Sequence, residues 1–143
     1  MLKKVMRTIA TTAICTMLLA STAFAARESF YFYLSDTGSN ISTFSSSRNT
    51  KVNINDPWTL KVTTITCAGY GIRFAPAKVK DSSITACKQS AVWRNTTGYG
   101  LVKFASGDNE LITYALGARQ DDAYPASHFS ASGWWNADAV KDN

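Results

Sequence analysis

Apolar and polar residues alternate with a period of two along most of the chain. In the segment SFYFYL, Phe30, Phe32 and Leu34 share one face, whereas Tyr31 and Tyr33 share the other. The segment WTLKVT alternates in the same way further along the chain. Successive side chains of a β-strand point to opposite faces of the sheet, so this alternation predicts strands with one buried and one exposed face.

Helical patterns are scarce outside the N-terminal segment. Beyond that segment, no window longer than about ten residues keeps apolar residues at positions i, i+3, i+4 and i+7. About seven or eight short runs rich in β-branched and aromatic residues are instead separated by Gly, Asn, Asp and Ser. These features predict an all-β fold, a single small antiparallel β-sandwich or barrel-like domain.

Two segments between the predicted strands have a distinct composition. The serine-rich segment 39–53 is poor in apolar residues, which predicts a long connection or a ragged edge strand. The segment SGDNE (106–110) is rich in turn residues, and it is predicted to turn the strand LVKF back into the strand LITYALGA.

The N-terminal segment has the three parts of a secretory signal peptide. Lys3, Lys4 and Arg7 form a positively charged start, residues 9–19 form an apolar stretch, and Ala-Phe-Ala at 23–25 fits a cleavage site. The apolar stretch is too short for a membrane span. The pattern predicts an export signal, and the alternative is a buried N-terminal helix.

Cleavage at this site predicts a signal peptide over residues 1–25 and a secreted β domain over residues 26–143. Cys15 is not preceded by the Leu-small-small pattern of a lipoprotein site, and no second long apolar run follows. The processed protein is therefore expected to be secreted and extracellular, with no transmembrane span.

Removal of the signal peptide changes the charge balance. The whole chain has 15 basic and 10 acidic residues and a net charge of +5, but three basic residues leave with the signal, so the processed chain carries 12 − 10 = +2. The remaining basic residues are scattered among neutral ones, whereas a nucleic-acid site needs a clustered basic stripe. Nucleic acid is therefore not expected as a partner.

The cysteines of the processed chain predict a disulfide. Cys67 and Cys87 remain after Cys15 is removed, and an even number of cysteines in an oxidising compartment favours pairing. Closing a loop of about 20 residues would stabilise the fold by roughly 3 kcal/mol. The alternatives are a metal site, which needs further ligands, and a redox pair, which is usually written Cys-x-x-Cys.

Residues suited to catalysis are few. The only histidine is His128, and no zinc-binding helix, nucleophile elbow or phosphate-binding glycine loop occurs. Glu28 and Glu110 are the only glutamates, and no carboxylate pair is placed as glycoside hydrolysis requires. We therefore expect no enzyme activity and no cofactor, and a hydrolase that depends on His128 is the minor alternative.

Two acidic segments contain oxygen ligands of the kind that calcium prefers. They comprise Asp108, Asn109 and Glu110 in SGDNE, and Asp121 with Asp122 further along the chain. Neither segment has the spacing of a helix-loop-helix calcium loop. Polar turns are the simpler interpretation, and no metal site is predicted.

Aromatic residues exceed what a small core needs. In the segment HFSASGWW, alternation places Trp135 with apolar residues and Trp134 with serines and His128. Trp134, Tyr31 and Tyr33 are therefore candidate binding residues, suited to stacking on sugar rings or to anchoring a protein. In the alternative, the C-terminal tail or a loop covers Trp134, or a bulge at Gly133 turns both indoles inward.

The motifs NDPW (55–58) and LGARQDDAYPASHFSASGWWNADA (116–139) resemble an uncharacterised family of short exported proteins from Gram-positive bacteria, a domain of unknown function. The shared pattern is an Asp-Pro-Trp that enters a strand, a Leu-Gly-Ala-Arg-like strand, and a final aromatic strand that ends on Gly-Trp-x-x-Asp, a motif in which this chain has an extra Trp. The resemblance implies secretion, and it implies no activity or catalytic residue.

The sequence as a whole predicts a small secreted, non-enzymatic binding protein that acts at the cell envelope. Its expected partner is an envelope glycan or protein. The alternative function is that of a bacteriocin-like secreted antimicrobial or toxin protein, since small size, export, mild positive charge and amphipathic strands suit both.

Overall fold

The computed structural model describes residues 26–35, 40–67, 70–94, 96–121 and 128–141. The predicted signal peptide and its cleavage site lie outside the described residues. Within the described ranges, no helix has the length and hydropathy that a membrane crossing requires.

The described residues form strands and no helix, as the period-two alternation predicts. Their bounds are β1 Glu28–Leu34, β2 Thr43–Thr50, β3 Trp58–Thr66, β4 Ile72–Lys80, β5 Ser83–Ala86, β6 Ala91–Trp93, β7 Gly98–Val102, β8 Thr113–Gln120 and β9 Phe129–Asn136.

The strands form two antiparallel sheets that pack against each other, so the predicted all-β sandwich is confirmed. The front sheet has the order β1-β9-β3-β7, and the back sheet has the order β2-β8-β4-β5, with β6 also paired to β4. On one side of the sandwich the two sheets approach each other, where the Ser47 hydroxyl of β2 donates a hydrogen bond of 3.0 Å to the Ser29 carbonyl of β1.

The core lies between the two sheets and consists of the inward residues of each alternating strand. Phe30, Phe32 and Leu34 of β1 are almost fully buried, as their shared face predicts. From the back sheet, Phe74 packs against Phe30 and Phe32 with ring centroids 5.7 and 6.1 Å apart. The largest fully buried side chains also include Trp58, Trp135, Tyr114, Phe129, Leu60 and Ile72.

Two local expectations have different outcomes. The serine-rich segment contains β2, an edge strand whose pairing with β8 is interrupted by a register shift between Phe44 and Arg48, as expected for a ragged edge. The predicted hairpin around SGDNE is wrong, because β7 pairs with β3 in the front sheet and β8 lies in the back sheet. The segment between them crosses from one sheet to the other, and the Tyr114 hydroxyl donates to the Asp108 carbonyl at 2.7 Å.

The predicted disulfide is wrong, because Cys67 and Cys87 are both thiols in the structure. Cys67 follows β3, and its thiol donates a hydrogen bond of 3.0 Å to the carbonyl of Tyr70. Cys87 follows β5, and its amide donates to the carbonyl of Pro76 at 2.8 Å. Cys67 is thus attached to Tyr70, just before β4 begins, whereas Cys87 is attached to Pro76 in the middle of β4, and a disulfide needs Cα atoms within about 7 Å.

Burial makes both thiols poor nucleophiles. The side chains of Cys67 and Cys87 are 0% and 6% exposed. Burial, together with the nearby charge of Asp108, raises the pKa of Cys87 to about 12. Since the thiolate is the reactive species, only about one Cys87 side chain in ten thousand would be reactive at pH 8.

We therefore expect the folded chain of residues 26–143 to react negligibly with Ellman's reagent at pH 8. In guanidinium chloride without reductant, two thiols per chain of residues 26–143 should react, because unfolding exposes both side chains and returns the pKa of Cys87 to its ordinary value. Fewer than two reactive thiols after unfolding would contradict the reduced state and would restore the disulfide prediction.

Candidate functional site

The three predicted binding residues lie on the outer face of the front sheet. In the pairing of β1 with β9, Ser29 is opposite Trp134, Tyr31 is opposite Ser132, and Tyr33 is opposite Ser130. Residues two apart on one strand share a face, so Tyr31, Tyr33 and Trp134 occupy neighbouring and diagonal positions on one surface. The structure therefore brings the three residues together.

The two tyrosines are the most accessible part of this surface. Tyr31 is 70% exposed and Tyr33 is 55% exposed, whereas the alternate residues of β1 are buried in the core. Tyr33 stacks on His128, with ring centroids 5.0 Å apart and an interplanar angle of 23°. The buried side chains of β1 thus fix the strand against the core, and the phenol rings of Tyr31 and Tyr33 lie in solvent.

The paired tryptophans are divided between the two faces. Trp135 is completely buried, and Trp134 is half-buried on the outer face. The guanidinium of Arg27 lies 4.4 Å above the indole of Trp134, and the ring centroid of Tyr99 lies 6.2 Å from it. A cation over an aromatic ring is attracted to its π-face, which holds the indole in place.

The C-terminal segment fixes the groups around Trp134. Arg27 donates a hydrogen bond of 2.6 Å to the carbonyl of Lys141, and the hydroxyl of Tyr99 donates one of 2.6 Å to the carbonyl of Val140. The tail therefore covers part of the surroundings of Trp134, as one alternative expected, but the indole remains on the outer face.

A β-bulge in β3 gathers hydroxyl groups beside the aromatic residues. The register between β3 and β9 shifts between Val62 and Thr64, which places Thr63 and Thr64 against Ser132. The hydroxyls of Thr64 and Ser132 are 2.6 Å apart, and Thr63 donates to the carbonyl of Ser132 at 3.1 Å. The irregularity lies in β3 opposite Gly133, and it does not turn both indoles inward.

We refer to this surface as the aromatic–hydroxyl face. It is defined by residues 31, 33, 63, 64, 128, 130, 132 and 134. None of its members is acidic. Two cations adjoin Trp134: Arg27 lies over its ring, and Lys61 lies opposite it in the pairing of β3 with β9. The face thus combines flat ring surfaces, hydroxyl donors and acceptors, and a positive border.

The described acidic residues considered as calcium ligands, Asp108, Glu110 and Asp121, bind basic side chains, and Asp122 lies outside the described residues. Glu110 pairs with Lys78, and with Lys80 at 3.2 Å, while Asp108 lies 3.5 Å from the Nζ of Lys78. These contacts raise the pKa of Lys78 and lower the pKa of Glu110, chiefly through their mutual hydrogen bond. In the part of the chain that the structure describes, no group of three or more His, Cys, Asp and Glu side chains could hold a metal ion.

Several members of the aromatic–hydroxyl face were not identified from the sequence. Tyr99, which adjoins the face beside Trp134, also escaped prediction, because its position depends on the pairing of β7 with β3. Thr63 and Thr64 belong to the surface because of the bulge, which the period-two pattern does not reveal. The excess of aromatic residues over core positions and the alternation of β1 and β9 indicated Tyr31, Tyr33 and Trp134 in advance.

Comparison of the chain with protein-family models, with curated proteins and with solved structures gave no match. The resemblance to exported Gram-positive proteins therefore stays a prediction, and the function is argued from the surface itself.

Proposed function

We propose that the protein is a small secreted, non-enzymatic binding protein whose aromatic–hydroxyl face contacts a glycan of the cell envelope. The observation that carries the proposal is the exposure of Tyr31 and Tyr33, 70% and 55%, next to Trp134 on one sheet face. Exposed aromatic residues that are grouped on one rigid surface are typical of binding sites.

The neighbours of the aromatic rings favour a glycan over an apolar protein surface. Sugar rings have apolar faces that stack on aromatic side chains, and their hydroxyls need partners that both donate and accept hydrogen bonds. Ser130, Ser132, Thr63 and Thr64 supply such hydroxyls, and β1 and β9 contribute no outward aliphatic side chain. The uncharged centre and the positive border suit a neutral or acidic polysaccharide.

The test is binding of the purified protein to isolated cell-wall polysaccharide and to a glycan array. Replacing Tyr31 and Tyr33 together with alanine is expected to weaken binding by about tenfold or more, since each loses a stacking surface worth about 1 kcal/mol. The fold should be retained, because both side chains point into solvent.

The matched control removes exposed apolar surface elsewhere. Leu111 is 57% exposed and lies outside the aromatic–hydroxyl face, so Leu111→Ala should leave glycan binding unchanged. Equal binding by the native protein, the tyrosine variant and the control would exclude the proposed surface. Absence of binding to every glycan tested would exclude the glycan.

The alternative of a membrane-active toxin is less well supported by the arrangement of the strands. Their apolar faces pack against each other in the core, and among the described residues the exposed large apolar side chains besides the two tyrosines are Val52, Ile54, Leu101 and Leu111. Dye leakage from vesicles or inhibition of neighbouring cells by the purified protein would favour the toxin.

A further inference from the structure

A groove of about 560 Å³ crosses the outer face of the back sheet, on the side of the sandwich away from the aromatic–hydroxyl face. This volume lies within the range of sites that hold small molecules. The proposed glycan-binding function does not use this groove.

Two arginines lie side by side in the groove. Arg73 of β4 and Arg119 of β8 are direct partners in the antiparallel pairing, and both line the groove. Arg73 binds the carboxylate of Asp121 and donates to the hydroxyl of Ser90 at 2.8 Å. Asp121 also pairs with Arg94 at 2.7 Å, so this one carboxylate is shared between two guanidinium groups.

Arg119 is held in position without an acidic partner among the described residues. Its Nη1 donates to the carbonyls of Gln120 and Asp121, at 2.7 and 3.3 Å. Lys88 adds a third positive charge to the lining, and the described lining residues include no carboxylate. The groove therefore has an excess of positive charge and a guanidinium that is already oriented.

Apolar side chains lie beside these charged and polar groups, although polar atoms contribute the larger part of the lining. Ile41 and Phe44 line one side of the groove. Both side chains pack closely over Gly117, since a Cβ added to Gly117 would lie 2.5 Å from Ile41. Ile84 and Ala86 of β5 also line it. The groove therefore combines convergent charged groups with a small apolar patch, and both can contact one small molecule.

We propose that this groove binds a small organic oxyanion, a carboxylate or phosphate ester joined to a short apolar body. Arg119 and Arg73 would hold the anionic head, because guanidinium groups match the geometry of carboxylate and phosphate oxygens. Ile41, Phe44 and Ile84 would contact the apolar body. The site is separate from the proposed glycan surface, and the two functions can fail independently.

The test is titration of the ¹⁵N-labelled protein with three probes, namely 3-phenylpropionate, phenyl phosphate and the neutral 3-phenylpropanol. We expect at least one anion to shift the backbone amide signals of Arg73, Ala86 and Arg119. The neutral alcohol should bind at least about fivefold more weakly than the better anion.

Arg119→Gln is expected to weaken binding of that anion by about tenfold, which is the effect of losing one charge-assisted hydrogen-bonding group. Arg48→Gln removes the same charge from an exposed arginine that does not line the groove, and it should leave binding unchanged. If Arg119→Gln fails to fold, Lys88→Gln at the exposed rim provides the second variant, with an expected loss of about threefold.

Three results would overturn the proposal. They are no signal shift with either anion up to about 10 mM, equal binding of the anion and the alcohol, and loss of anion binding in the Tyr31/Tyr33 alanine variant with retention in Arg119→Gln. The last result would transfer the anion to the aromatic–hydroxyl face and would leave the glycan proposal standing.

Discussion

Replacing Asp138 with alanine is expected to lower the free energy of unfolding by about 3–5 kcal/mol, the usual cost of leaving a buried charge without its partner. The partner is Lys51, whose side chain is fully buried and whose Nζ lies 3.1 Å from Asp138. The same ammonium donates to the carbonyls of Asp56 and Ala137, at 2.7 and 2.8 Å.

Asp138 also accepts hydrogen bonds from two backbone amides. Its carboxylate accepts hydrogen bonds from the amides of Val52 and Asn53, at 2.9 and 3.1 Å. It therefore joins the connection between β2 and β3 to the segment after β9. Alanine would leave these two donors and the ammonium of Lys51 without their acceptor, and each loss adds to the cost.

The pH dependence gives an independent check on this explanation. Burial lowers the pKa of Lys51 below its ordinary value of 10.5, and the hydrogen bond to Asp138 opposes this shift. Without Asp138 the pKa should fall further. The unfolded chain then binds the proton more tightly than the folded one, so stability rises as pH increases from the folded-state pKa towards 10.5.

Denaturant unfolding of Asp138→Ala at several pH values tests this expectation. The loss of stability should shrink as the pH approaches 10. As a control, Glu110→Ala removes the solvent-accessible carboxylate that pairs with Lys78 and Lys80, and it should change the midpoint little. The double variant Lys51→Met/Asp138→Asn should lose less free energy of unfolding than the sum of the losses in Lys51→Met and Asp138→Asn. A loss that is small at neutral pH would contradict the assigned role of the pair.

Replacing Gly133 with alanine is the second change with a large expected effect, a loss of at least about 3 kcal/mol. A Cβ at Gly133 would lie 1.9 Å from the carbonyl oxygen of Lys61 and 3.1 Å from the ring of Phe30. The oxygen belongs to the backbone of the neighbouring strand, so it cannot move without separating β3 from β9.

The control for this prediction is another glycine of the front sheet. At Gly98 in β7, the nearest heavy atom to an added Cβ is the indole nitrogen of Trp93 at 3.9 Å, an ordinary contact distance. Gly98→Ala should therefore leave stability unchanged or increase it by up to about 1 kcal/mol through the unfolded state. Thermal unfolding followed by circular dichroism compares the two variants, and equal melting temperatures would exclude the close approach at Gly133.

The face of each aromatic residue could be predicted from the sequence where a strand has one buried side. In β1 and β9 a shift of one residue would move every core side chain into solvent, so the alternation determines the orientation. This is why Trp135 is buried and Trp134 lies outside. The same argument places Tyr31 and Tyr33 in solvent.

Long-range partners could not be predicted in this way. A turn signal such as SGDNE indicates where the chain turns, and it does not indicate which sheet receives β8. The spacing between Cys67 and Cys87 likewise contains no information on distance across the fold. Lys51 is buried against the general tendency of lysine to be exposed. Its burial depends on the pairing with Asp138, which lies 87 residues away in the chain, so the local pattern could not predict it.

The measurement that most directly tests the proposed function is mapping of the backbone amide signals of the protein during titration with isolated cell-wall polysaccharide. We predict that the perturbed signals belong to β1, β9 and the bulge of β3, with the largest changes at Tyr31, Tyr33 and Trp134, and that the back sheet is unaffected. Perturbations confined to the back sheet or the loops, with an unchanged aromatic–hydroxyl face, would contradict the account.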